Sequence, residues 1–229
     1  MMQKPAPHKL AIYDMDKTIT HAPTWTSFLI STARRQAPWR LALLPLAGVA
    51  TGAYAIKAID RARLKQVTQR LLLGGAMRDA QAKRAAARFA ESVVASGVFA
   101  GARAQIAADK AAGYRLVMAT ASYRFYASAI ADRLGFDDVI GTEVERAGDR
   151  LRARIAGENC YGPAKLRMIQ AWMAANGIDR ADTAIRFYSD HVSDSPVLDW
   201  ADEAFAVNAH GPLRVLAREK GWPIVDWER

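Results

Sequence analysis

Asp14 and Asp16 stand two residues apart in Asp14-Met15-Asp16-Lys17-Thr18, directly after the apolar run at 10–13. Two carboxylates at that spacing can divide labour where the chain turns, Asp14 as nucleophile and Asp16 as general acid and base. A phosphate ester resists attack by an anion unless a cation neutralises its oxygens, and a hard, oxygen-bound Mg²⁺ does this. Ser189-Asp190-His191-Val192-Ser193-Asp194 brings two further acids, Asp190 and Asp194, past another apolar run. Thr120 and the amides after it could hold phosphoryl oxygens, and Lys165 could add a fixed positive charge that restrains the nucleophile. Taken singly, each signal is ordinary, since an Asp-x-Asp pair is more often a turn or cap and a lone lysine is usually solvated.

The elements that must position these side chains read as buried strands. Runs at 10–13, 116–119 and 185–188 each deliver polar residues at their carboxyl ends, and 204–207 and 224–225 read as further strands. Helical stretches at 123–134, 163–176, 195–201 and 212–220 alternate with them, which predicts an α/β fold with a Rossmann-like parallel sheet. Ligands bind such sheets at the carboxyl ends of the strands, where Asp14, Asp16, Thr120 and Asp190 would stand. About a hundred residues separate the first strand from the second, too many for one crossover. They read as helices at 24–32, 41–56, 61–73, 77–96 and 99–112. The expected division is a core of residues 1–19 plus 111–229 and a helical cap of 20–110 inserted after the first strand. Alternation around Gly148-Asp149 predicts a hairpin within 139–155.

The chain of 229 residues is 51% hydrophobic and 24% charged, enough for a sizeable core. Its single cysteine, Cys160, excludes an intrachain disulfide and fits a reducing compartment, so the cytoplasm is the expected location. Residues 1–9 carry no apolar run of the secretory kind. The net charge of +9 is uneven: residues 1–115 carry 18 Lys/Arg against 6 Asp/Glu, and the rest 14 against 17. No acid occurs between Lys17 and Ile59, which favours an anionic partner over this segment. A basic solvated face is the ordinary alternative.

The four motifs stand in the order of the haloacid dehalogenase-like hydrolases, which the chain resembles over nearly its whole length. They are Asp14-Met15-Asp16-Lys17-Thr18, Leu116-Val117-Met118-Ala119-Thr120, Lys165, and Ser189-Asp190-His191-Val192-Ser193-Asp194. The resemblance implies that Asp14 forms an aspartyl-phosphate and that Asp16 protonates the leaving group, then activates water. It implies Mg²⁺ held by Asp14, the Asp16 carbonyl and Asp190, with Asp194 beside them, Thr18 in support, and the phosphoryl group on Thr120 and Lys165. The cap's position is similar to that in the branch containing the phosphoserine phosphatases. Those enzymes carry a Glu soon after the Asp pair to meet the substrate ammonium. Here His21-Ala22-Pro23-Thr24 stands instead, which weighs against phosphoserine.

The expected substrate is therefore a phosphorylated metabolite or a lipid phosphate. A phosphotransferase or phosphomutase of the same fold is the nearest alternative. A non-catalytic module binding nucleic acid or anionic membrane is the other, and the intact acidic set speaks against it. Residues 41–56 carry no charge, and at about 1.5 Å per residue they are too short to span a bilayer. They could lie in a membrane interface, with Trp25 and Trp39 as anchors, giving peripheral contact through the basic cap. Alternatively they pack among the cap helices. His21 could touch substrate at the site's mouth, although a loop histidine is more often solvated or a cap.

Overall fold

The computed structural model describes residues 8–227, so most of the segment in which a secretory signal would stand lies outside the described residues. The first half runs β1 (His8–Tyr13), α1 (Thr24–Gln36), α2 (Leu44–Ala55), α3 (Arg61–Leu73), β2 (Ala76–Arg78), α4 (Asp79–Ser96) and α5 (Ala100–Ala111). Next come β3 (Arg115–Tyr123), α6 (Arg124–Leu134), β4 (Asp138–Ala147), β5 (Arg150–Ala156) and α7 (Pro163–Ala175). The chain closes with β6 (Thr183–Ser189), α8 (Ser195–Trp200), β7 (Glu203–Val207), α9 (Gly211–Lys220) and β8 (Ile224–Val225).

β1 ends in four buried residues and needs neighbours on both edges. It has them: the sheet order is β2-β5-β4-β3-β1-β6-β7-β8, parallel from β4 to β8, with Tyr13 level with Met118 on β3 and Tyr188 on β6. The predicted hairpin is present as β4 and β5, antiparallel, with β2 added to its outer edge. Alternate residues face opposite layers. Ala11, Tyr13, Met118 and Tyr188 pack with residues of α4, α5 and α6, whereas Ile12, Val117, Ala119 and Phe187 pack with residues of α7, α8 and α9. Complete burial of a side chain such as Phe187 contributes about 1.5–3 kcal/mol.

Three readings of the insert change. Met77 and Arg78, expected to begin the helix at 77–96, pair instead within β2 against β5, because Met77 buries its side chain opposite Leu151. The uniform run 41–56 divides into a 3₁₀ helix (Pro38–Leu43), whose Leu41 packs on Leu29, Ala33 and Leu72, and α2, whose only buried residue is Ala47. α5 lies on the sheet: its Asp109, fully buried, accepts hydrogen bonds from the hydroxyls of Tyr13 (2.5 Å) and Tyr188 (3.0 Å).

Candidate active site

The loop after β1 delivers two carboxylates because it folds back at once. The Asp14 amide still belongs to the sheet, donating to Tyr188 O, while Ile19 N and Thr20 N both return to Met15 O. Lys17 sits at φ 65°, a left-handed conformation unusual for a residue with a Cβ. Asn208 Nδ2 braces the turn from the β7 end, 3.3 Å from both Lys17 O and Thr18 O.

Lys165, in the first turn of α7, is buried and places Nζ 2.8 Å from Asp14 Oδ1 and 2.5 Å from Asp194 Oδ2. Ser189 Oγ donates to the same Asp194 oxygen at 2.8 Å. Thr18 Oγ1 accepts from the Asp190 amide at 3.0 Å and lies 3.4 Å from Asp14 Oδ2 and Asp190 Oδ1. Asp14, Thr18, Lys165, Asp190 and Asp194 thus meet at the carboxyl ends of β1 and β6.

Asp16 is held by a separate network. Its Oδ1 accepts from Thr24 N (2.8 Å) and Thr24 Oγ1 (2.7 Å) at the start of α1, and Oδ2 accepts from Ser122 Oγ (2.8 Å). The Tyr126 hydroxyl joins Ser122 and Thr24 behind it. β3 continues past its expected end at Ala119 to Tyr123, with a register shift between Thr120 and Tyr123, and the Ser122 amide donates to Thr120 Oγ1 at 3.0 Å.

Charge is crowded here. Burial pushes Asp14 up to about 6, against the pull of Lys165. Burial, together with the charges of Asp14 and Asp194, pushes Asp190 up to about 7. Burial disfavours the Lys165 ammonium, yet Asp14 and Asp194 outweigh it and hold the group above the ordinary lysine range. Magnesium suits the donor set. Among the described residues no three His, Cys, Asp or Glu side chains could by themselves hold a metal ion. Asp14 Oδ2 and Asp190 Oδ1, each 3.4 Å from Thr18 Oγ1, offer hard carboxylate oxygens of the kind Mg²⁺ takes together with water and substrate oxygens. Asp194 Oδ1 is buried without a hydrogen-bond partner, an acceptor left for such a water.

The site opens into a cavity of about 180 Å³ that Asp14, Asp16, Thr120, Lys165, Asp190 and Asp194 all line. Lys17, Pro23, Arg61, Tyr161, His191 and Ser193 complete most of the wall. His21 does not line it; its ring packs edge-on against Phe99. His191, to which the sequence assigned no role, lines the cavity and stacks on His210 at 4.3 Å. Sequence reasoning missed Ser122, Thr24 and Arg61. It also missed Lys65 of α3, whose buried Nζ contacts Ala121 O and lies 2.6 Å from Asn159 Oδ1. Ser122, two residues beyond Thr120, was the one of these with a readable signal.

A single strand-end cluster that holds one aspartate on a buried lysine and its i+2 partner on hydroxyls defines the class. Residues 11–199 match the haloacid dehalogenase-like hydrolase family, and the chain belongs to it. It is 31% identical over 138 residues to a protein of Mycobacterium tuberculosis named phosphoserine phosphatase, covering 60% of this chain and 44% of that one. It is 27% identical over 128 residues to a histidinol-phosphatase of Neisseria meningitidis, covering 55% and 58%. The chain spans less than half the length of the mycobacterial relatives it matches. Among solved structures, a Bordetella pertussis protein of unknown function has TM-score 0.86 and 24% identity, covering 96% of this chain and 99% of that one. A substrate-bound phosphoserine phosphatase has TM-score 0.62 and 17% identity, covering 99% and 95%, which shows the shared fold.

Proposed function

We propose that the chain hydrolyses phosphate monoesters through an aspartyl-phosphate on Asp14. The observation that carries this reading is the separate tethering of the two carboxylates. Asp14 has one oxygen fixed on Lys165 Nζ and the other near Thr18, while Asp16 hangs from Thr24 and Ser122. A nucleophile and a proton carrier need that independence.

In the first half-reaction an Asp14 oxygen bonds to phosphorus as the bond from phosphorus to the ester oxygen breaks. Asp16, protonated, gives its proton to the departing alkoxide. In the second, Asp16 takes a proton from water, whose oxygen bonds to phosphorus while the Asp14–phosphorus bond breaks, releasing phosphate and restoring both carboxyl groups. Lys165 holds Asp14 in line and, with Thr120 and the amides after it, receives the phosphoryl oxygens. Asp14, the Asp16 carbonyl and Asp190 would hold Mg²⁺, which when bound offsets the charge of the phosphoryl oxygens.

Beyond the four strand-end aspartates, no acid lines the cavity, and Arg61 and Lys17 add positive charge. A leaving group that is neutral or anionic suits this wall better than an ammonium, whether it belongs to a soluble metabolite or a lipid. A division into core and cap belongs to the same proposal, with α4 and α5 packed on the sheet and α1 to α3 forming the part that selects the leaving group.

Asp14→Asn should abolish turnover of a generic aryl phosphate while leaving circular dichroism unchanged, and chelating Mg²⁺ should silence the parent enzyme. In the parent, rapid quenching should trap a phosphoryl group by intact mass, absent from Asp14→Asn. Retained turnover in Asp14→Asn would sink the mechanism.

A further inference from the structure

α2 is apolar yet stands in solvent. Of the large hydrophobic side chains exposed among the described residues, all but Val215 lie between Trp39 and Ile56. Trp39 is 65% exposed, Leu46 53%, Val49 69% and Ile56 78%. Leu46, Val49 and Ile56 are spaced three and seven apart, which stacks them along one face. A helix apolar on all sides is ordinarily buried, and here Ala47 alone is. Side chains this large, gathered in one short segment, mark a surface that another apolar phase covers.

The charge around the patch indicates which phase. No Asp or Glu occurs from Lys17 to Ile59, while Arg34, Arg35 and Lys57 are exposed in that span; just beyond it the exposed Asp60 is followed by Arg61 and Arg63. The Arg40 guanidinium lies 4.5 Å over the Trp39 ring, setting a cation beside an aromatic anchor. An uncharged apolar helix flanked by basic residues and an exposed tryptophan matches the interface of an anionic bilayer, whose headgroups take the cations and whose acyl boundary takes the side chains. No helix among the described residues is long and apolar enough to cross a membrane, so the contact lies along the surface.

The location gives this contact a use. The end of α2 and the turn after it contribute Tyr54, Lys57 and Ile59 to a cavity of about 490 Å³ that shares Arg61 and Tyr161 with the aspartate cavity. We propose that α2 and the preceding 3₁₀ helix dock on an anionic lipid surface, setting the mouth of the site at that surface.

The test is cosedimentation with vesicles of phosphatidylcholine alone or mixed with phosphatidylglycerol. Pelleting with the mixed vesicles, weakened by salt, is the expected result. A Val49→Glu/Ile56→Glu double variant, altered only at exposed positions, should bind roughly tenfold or more weakly while keeping the parent's aryl phosphatase rate. Asp14→Asn should bind vesicles as the parent does, which separates docking from catalysis. Absence of pelleting at low salt, or equal pelleting by the double variant, overturns the proposal. So does concentration-dependent self-association, lost in the double variant, in a protein that ignores vesicles, because a second copy would then be what covers α2.

Discussion

Lys165 holds the buried carboxylates of Asp14 and Asp194 together by charge, and little else near it could take over that duty. Its ammonium is the cation in contact with Asp14 and Asp194, all three buried. Lys165→Met keeps the volume and removes the charge, leaving two carboxylates without their partner. The expected cost is about 3–5 kcal/mol, by analogy with the breaking of buried ion pairs. Urea titration measures it, and a loss below about 1 kcal/mol would contradict this account. Asp14, Thr120 and Asp190 were legible in the sequence because each follows an apolar run that could only be a strand. Lys165 was legible by its place in a known order of motifs rather than by its surroundings. Thr24 was not legible, since a hydroxyl that reaches Asp16 across the fold looks in sequence like any surface threonine, whereas Ser122 had its place two residues past Thr120 to mark it.

Among the elements, α3 is the strut between the insert and the sheet. Lys65 sends its ammonium from α3 to Ala121 O at the end of β3, to Asn159 Oδ1, and to Thr142 on β4. None of these acceptors is a carboxylate, and burial, aided by the Arg61 charge, lowers Lys65 from 10.5 to about 7. The native state therefore binds fewer protons than the unfolded chain between those values, and stability should rise as pH increases through that window. Relative to Lys65→Met, the parent should gain about 3–4 kcal/mol between pH 7 and 10. Denaturant midpoints for the two proteins across this range check it; parallel curves would mean that Lys65 carries its proton throughout. The element boundaries show where sequence reading stops. α3 was read correctly over residues 61–73 because its apolar positions recur at helical spacing. The neighbouring run at 41–56 has no such contrast, so nothing in it distinguished an exposed helix from a buried one.

Across the whole molecule, the far end of the chain returns to its beginning. Trp227 packs near the rings of Tyr13 and Tyr188, while its side chain covers Gly101 on α5. A Cβ added at Gly101 would lie 2.6–2.8 Å from Trp227 Cδ1, Cγ and Cβ, too close to be absorbed at the tip of a flexible side chain. Gly101→Ala should therefore destabilise by about 1–3 kcal/mol, overriding the roughly 1 kcal/mol that alanine usually gains in a helix. In a Trp227→Gly background, which removes Cβ, Cγ and Cδ1 together, the same substitution should stabilise. Thermal melts of the four proteins test the reversal of sign, and additive effects would show that the two residues do not touch.

β1 lies between strands that begin at Arg115 and Thr183. On a ribosome making roughly 5–20 residues per second, the segment that carries Asp14 emerges first and then waits several seconds to tens of seconds for its second neighbour. Until β3 is made it is a bare apolar strand with two open edges, and until β6 follows one edge stays open, the form most prone to pair with another chain. The arrangement that places Asp14 at the centre of the finished sheet also makes its strand the part of the nascent chain most in need of a chaperone.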